Sequence, residues 1–170
     1  MSELVKRVPQ MSLEEHLAKA GSYKNLLRTI KDQGLDAEKE MQRILWREAP
    51  LFQRIGLSVD KIQDGMIEMS FRQTEEIGRS GGMVHGGIAM YVLDTAAGLA
   101  VLTQNHGVDQ VTLELKVNFL EPLRKSPFKA IGKTVRVGRT TAVSEGELFD
   151  SEKRLCAKAI GTWYLLSEKR

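Results

Sequence analysis

The sequence predicts an α+β fold in which an antiparallel β-sheet wraps around one long central helix, with a helical extension before it. Three observations lead there. Residues 88–102 are apolar on nearly every side, so a helix there needs covering all round. Two short alternating segments precede that helix and four longer strand-like segments follow it. The first 48 residues instead carry their apolar side chains at three-and-four spacing.

In chain order, Ser12 followed by Glu15 forms a capping-box pattern, and Ser22 and Asp36 can cap two further helices. Gly21 and Gly34 separate these segments. Leu26, Leu27 and Ile30, then Met41, Ile44 and Leu45, form the stripes that should pack inward. Pro50 is expected to end the helical part. The chain therefore divides into a helical extension, residues 1–48, and a sheet-and-helix domain, residues 49–170.

Residues 55–62 and 66–71 read as two antiparallel strands about Asp64-Gly65, with Ile67, Met69 and Phe71 alternating with Met66, Glu68 and Ser70. A glycine-rich loop from Gly78 to Gly82 leads through Met83 and Val84 into His85-Gly86-Gly87 and the apolar helix. Four long strands, expected as hairpin neighbours, cover 110–120, 128–137, 140–148 and 155–166. Gly138-Arg139 and Asp150-Ser151-Glu152 supply turns between them.

With 170 residues there is room for one sizeable core. Apolar residues at 42% and charged residues at 28% exclude disordered and fibrous classes. Cys156 is the only cysteine, so no intramolecular disulfide or cysteine-rich metal site can form, and a reducing, cytoplasmic setting is expected. Charged residues and Pro9 interrupt any leader-like apolar run in the first 20 residues. Residues 88–102 are too few to cross a bilayer and include Asp94, so no membrane partner is expected.

The net charge of +3 is uneven, because residues 123–170 hold eleven Lys or Arg against five Asp or Glu. That excess suits nucleic acid, a membrane surface or a small polyanion such as the phosphates of coenzyme A, with a solvated sheet face as the plain alternative. Residues 1–48 carry nine Lys or Arg against eight Asp or Glu, too balanced for a strong nucleic-acid face.

The candidate chemistry lies between Arg79 and Asp94. Gly86 and Gly87 open the helix, where backbone N–H groups lack partners and no side chain blocks a ligand, so they can donate to a developing oxyanion. Paired glycines also serve close packing. Asp94 follows Gly86 by eight residues, about 12 Å along a helix axis, so one carbonyl cannot touch both. If both act on one bond, two chains must share the site. Met90, Tyr91, Ala97 and Gly98 surround Asp94 on the helix, and burial there would make it a better base or nucleophile. The alternative is a structural Asp held by Thr95 or Thr112. His85 is read mainly as positioning the loop, Thr112 as a holder of water near Asp94, and Tyr91 as a wall of the substrate pocket.

Residues 82–94, GMVHGGIAMYVLD, resemble the signature of hotdog-fold thioesterases, particularly the phenylacetate-pathway (PaaI-type) group. Residues 110–122, QVTLELKVNFLEP, resemble that family's strand after the helix, and the likeness covers roughly 51–166. The resemblance implies a hotdog fold and hydrolysis of an acyl-CoA in a dimer, itself tending to pair into a tetramer, with no cofactor beyond the coenzyme A of the substrate. It implies catalytic roles for Asp94, Gly86, His85 and Thr112, and substrate contacts by Gly82, Val84, Gly87 and Tyr91. Arg136 and Arg139, about the turn at Val137-Gly138, stand where the family commonly binds the nucleotide of coenzyme A. The chain departs from the pattern at Arg79, where related thioesterases often have Asn, and Arg79 could polarise the carbonyl, bind a phosphate or face solvent.

Metal chemistry is not expected, because His16, His85 and His106 are scattered and no His-x-x-x-His spacing occurs. Nor is a Ser-His-Asp site. Two rivals keep the same fold: an acyl-CoA-binding regulator whose helical extension contacts DNA, and a dehydratase or hydratase using His85 and Asp94 as an acid and base pair.

Overall fold

The computed structural model describes residues 19–167, so the pattern at Ser12 and Glu15 lies outside the described residues. Its elements are α1 (Tyr23–Asp32), α2 (Ala37–Glu48), α3 (Pro50–Ile55), β1 (Ser58–Gln63) and β2 (Met66–Phe71), then β3 (Gly78–Arg79), β4 (Met83–Val84) and α4 (Gly86–Leu102). After these come β5 (Asp109–Phe119), β6 (Phe128–Val137), β7 (Thr141–Phe149) and β8 (Leu155–Leu166). Six strands form one antiparallel sheet in the order β1-β2-β6-β7-β8-β5, while β3 and β4 make a separate small hairpin.

The α+β expectation holds: α4 lies on the sheet, with Val92, Leu93, Ala96 and Ala97 fully buried. Contact is closest at β6, where a Cβ on Gly132 would sit 2.0 Å from the Ala96 carbonyl oxygen. Any other residue there would push the helix off the sheet.

The caps read from sequence also hold. The Ser22 hydroxyl accepts from Asn25 N–H at 3.2 Å, and the Asp36 carboxylate from Lys39 N–H at 3.0 Å. Tyr23, Leu26, Leu27, Ile30 and Met41 join the same apolar cluster as Val92 and Leu93, so α1 and α2 share the core of the sheet.

Pro50 does not end the helical part; it opens α3 at the first helical position, where its missing N–H costs nothing. The stop comes at Gly56, whose left-handed backbone (φ 69°) closes α3, and β1 begins only at Ser58. Likewise β5 is not a hairpin neighbour of β6, since β7 and β8 lie between them. The eight residues 120–127, with Pro122 and Pro127, span too far for a tight turn and carry the chain from one margin of the sheet back to its middle.

The two margins end differently. Along β1, α2 presents a ladder four residues apart: Glu38 Oε1 accepts from Ile62 N–H at 2.8 Å, and Gln42 Oε1 accepts from Val59 N–H at 2.6 Å. Gln42 Nε2 and Trp46 Nε1 donate to the Leu57 carbonyl at 2.8 and 3.0 Å. These side chains satisfy backbone groups that an edge strand would leave open. Among the described residues β5, at the other margin, pairs only with β8.

Candidate active site

The small hairpin β3–β4 delivers the chain to His85, which caps α4. Its ring Nδ1 accepts from Gly87 N–H at 3.0 Å, and its carbonyl accepts from Ile88 and Ala89 N–H. With Nδ1 used as an acceptor, Nε2 is the ring nitrogen left to face other partners. Gly87 is thereby committed to the cap, and a Cβ there would crowd Nδ1 at 3.2 Å. Gly86 differs. Among the described residues its N–H has no acceptor, and a Cβ on it would meet only the Phe119 ring at an ordinary 3.5 Å. Packing within the chain does not require glycine at 86, whereas an open amide at a helix start suits a negative ligand atom.

Gly86 lines a cavity of about 420 Å³ together with Arg79, Val84, Ala89, Phe119, Leu123 and Cys156 among others. Val84, Ala89, Leu123 and Cys156 are buried and form an apolar floor, while Arg79 is exposed at the rim. The Cys156 thiol is pushed above its usual value, chiefly by burial, so it stays protonated and serves as part of the wall.

Two turns along α4, Asp94 is half-buried and accepts from the Thr112 hydroxyl at 3.0 Å. Burial raises its carboxyl above the usual range, and the Thr112 bond pulls the other way. Thr95 is not the partner, because its hydroxyl donates to the Tyr91 carbonyl at 2.7 Å. The Tyr91 phenol is also raised, first by burial and further by the charge of Asp94.

A β-bulge brings Thr112 to Asp94. Thr112 pairs with Trp163 and Glu114 with Thr162, so Leu113 is an extra residue in β5 and the side-chain parity flips there. Before the bulge, Gln110 and Thr112 face the helix; after it, Leu115 and Val117 pack on the core. Gln110 fixes the approach, its Nε2 donating to the Gly98 carbonyl at 2.7 Å, one turn beyond Asp94. A Cβ on Gly98 would lie 3.2 Å from the Trp163 indole nitrogen and 3.4 Å from the Gln110 amide.

The structure thus gathers Arg79, Val84 and Gly86 at one cavity, and Asp94 with Thr112 at another place on the same helix. Gly82, with a left-handed backbone (φ 68°), lies in the exposed loop beside Arg79. Arg136 and Arg139 are exposed at the far end of β6 and touch neither place. Sequence reading missed Gln110, Ala89 and Cys156 as parts of the site. Only Gln110, a polar residue opening the strand after the helix, left a signal there.

One pattern runs against the expectation that no serine triad exists: residues 78–82, Gly-Arg-Ser-Gly-Gly, match Gly-x-Ser-x-Gly. Such a nucleophile needs a sharp turn from strand into helix. Ser80 instead sits exposed in the turn of β3–β4, and the neighbouring His85 is spent on the helix cap. Among the described residues no group of three or more His, Cys, Asp or Glu could hold a metal ion; His16 lies outside them.

Comparison with known proteins bears on the same region. A family profile described as "Thioesterase superfamily" matches residues 81–157, from the loop before His85 into β8. A Saccharolobus solfataricus protein named "Putative esterase" is 42% identical over 134 residues, covering 79% of this chain and 96% of its own. "Medium/long-chain acyl-CoA thioesterase YigI" of Escherichia coli is 26% identical over 130 residues, covering 67% of this chain and 84% of its own. A solved thioesterase family protein from Silicibacter pomeroyi superposes with a TM-score of 0.71 at 25% identity, covering 77% of this chain and 99% of that one.

Proposed function

Since this chain belongs to the thioesterase superfamily, we propose that it hydrolyses acyl-CoA thioesters in a site shared by two copies, Asp94 of one acting with Gly86 of the other. One observation carries the shared site. Helix α4 runs unbroken from Gly86 to Leu102, so the open amide and the carboxylate stand about 12 Å apart along its axis. A single scissile carbonyl is reached by both only if a second helix comes alongside. The open margin at β5 supports such an assembly, with Val111 and Leu113 turned outward at 47% and 58% exposure.

In this reading the thioester carbonyl oxygen lies against the Gly86 N–H, at the positive end of α4. Asp94 takes a proton from water as the water oxygen bonds to the carbonyl carbon. Collapse of the tetrahedral intermediate breaks the C–S bond, and coenzyme A leaves as its thiol on reprotonation. The alternative is direct attack by Asp94, giving a mixed anhydride that water then opens. Trapping an acyl-Asp94 anhydride with hydroxylamine during a single turnover separates the two. Thr112 orients the carboxylate in either route. The Escherichia coli relative, an acyl-CoA thioesterase by name, supports the acyl-CoA substrate class.

Asp94→Asn tests the assignment, because it keeps volume and removes the base. Turnover should fall by about 10²–10⁴-fold, measured as thiol release. Stability should not fall with it. A carboxyl raised by burial binds its proton more tightly in the folded chain, so charged Asp94 opposes folding above that raised value and the opposition fades as pH drops through it. Near-native thiol release by the variant would sink the proposal.

A further inference from the structure

The least covered part of α4 is one row of side chains. From Ala96 to Val101 every residue of the helix is buried, whereas Gly86, Met90 and Asp94 are exposed or half-buried. These three stand four residues apart, so they follow one another along the same face. Met90 is the middle member, a large apolar side chain left open at 42% exposure.

A two-fold assembly gives that middle place a particular meaning. In such a contact residue i of one copy meets residue j of the other, and j meets i. If Gly86 meets the partner's Asp94, then Asp94 meets the partner's Gly86, and the axis crosses α4 halfway between them, at Met90. Met90 then lies against its own copy, about 6 Å along the helix from each of the two thioester positions.

β5 checks the same axis. A Cβ on Gly86 would meet the Phe119 ring at 3.5 Å, and Thr112 bonds Asp94, so β5 runs beside α4 in the opposite sense and residues 115 and 116 stand level with Met90. Two antiparallel copies of β5 about such an axis set one residue opposite itself. With Lys116 there, two like charges face each other, which destabilises a strand pair. With Leu115 there, Glu114 stands opposite the partner's Lys116, and the pair occurs twice. Glu114 and Lys116 are exposed and form no ion pair among the described residues. Charge pairing on the strand thus selects an axis level with the one the helix requires.

We propose that Met90 meets its own copy across this axis and forms the wall between the two shared sites, setting the width of acyl group that fits beside the thioester carbon. The inference rests on the shared site above and adds to it a residue that selects the substrate. Methionine suits the place, because its unbranched, flexible thioether lets two copies fill one gap without matching shapes. An acyl group with a ring at the carbonyl needs space within one turn of α4 that the paired thioethers already fill. A straight chain does not.

Met90→Cys tests the placement on the full chain, since Cys156 is fully buried and the native chain serves as the blank. Mild oxidation or a short bismaleimide should join two Met90→Cys chains on a denaturing gel and leave the native chain single. Met90→Ala tests the wall and keeps a good helix former. Its kcat/KM for benzoyl-CoA relative to butyryl-CoA should rise at least about tenfold. A Met90→Cys dimer that resists both reagents overturns the placement, and a native ratio in Met90→Ala overturns the wall. Mixing Asp94→Asn chains with Gly86→Pro chains judges the shared site separately, because proline removes the N–H at a helix start that tolerates its ring. About a quarter of native thiol release should return, since half of the dimers pair the two variants and each of those holds one intact site of two. Its return without cross-linking of Met90→Cys keeps the shared site and sinks the Met90 placement. Cross-linking in a protein whose native chain releases no thiol from any acyl-CoA keeps the placement and sinks the hydrolytic reading.

Discussion

At the β1 margin of the sheet, Glu38, Gln42 and Trp46 of α2 take the place of a seventh strand, bonding to the backbone of Leu57, Val59 and Ile62. At the β5 margin, eleven residues have β8 on one side and, among the described residues, no strand on the other, and Val111, Leu113 and Phe119 stay exposed. The closed margin carries no candidate chemistry, whereas Asp94 and Thr112 meet at the open one. The difference teaches where association can occur. An edge whose N–H and C=O groups are already bonded offers nothing to a second chain, and an apolar, unbonded edge beside the carboxylate offers both backbone and side-chain contacts. The helical extension thereby restricts edge pairing to the side on which the proposed site needs a partner.

The comparison breaks most sharply if the open margin is charged. Leu113→Glu places a like-charged pair across any two-fold contact at β5, and we expect a monomer by sedimentation with hydrolysis reduced about a hundredfold or more, since the oxyanion donor and the base are then parted. A monomeric variant with full activity would refute the shared site. The closed margin should answer in the opposite sense. Gln42→Met keeps volume but leaves Val59 N–H without its acceptor, at a cost of about 1–3 kcal/mol. For a chain of this size that is a thermal midpoint lower by about 2–4 °C per kcal/mol, with kcat unchanged. A loss of turnover without a loss of stability would show that this margin is not merely structural. The smallest effect belongs to Thr112→Val. Its hydroxyl lowers the Asp94 carboxyl, so removing it should move the acid limb of the pH–rate profile to higher pH. An unmoved limb would separate Thr112 from the titration of Asp94.

Much of the architecture was legible because it depends on local rules. Ser22 and Asp36 cap helices in the structure as their side chains suggest, and Ile67, Met69 and Phe71 alternate into the core. Pro50 misled, because the same ring that breaks a helix interior is welcome at a helix start, and only Gly56 shows which applies. His85, Gly86 and Gly87 were legible as a cluster but not as distinct roles. Which amide is free depends on where the His85 ring turns, and it turns to Gly87.

By itself the sequence determined the element types, the burial of the central helix and the concentration of candidate chemistry between Arg79 and Asp94, because periodicity and residue chemistry act over a few neighbours. The tertiary structure decided the faces. In β5, strict alternation would line up Val111, Leu113, Leu115 and Val117 on one side and turn Thr112 away from the helix. The bulge at Leu113 reverses that parity, carrying Thr112 to Asp94 and Leu113 out to the open margin. A single extra residue in a ladder is set by how β5 registers on β8 and by Gln110 gripping Gly98, both contacts between segments distant along the chain.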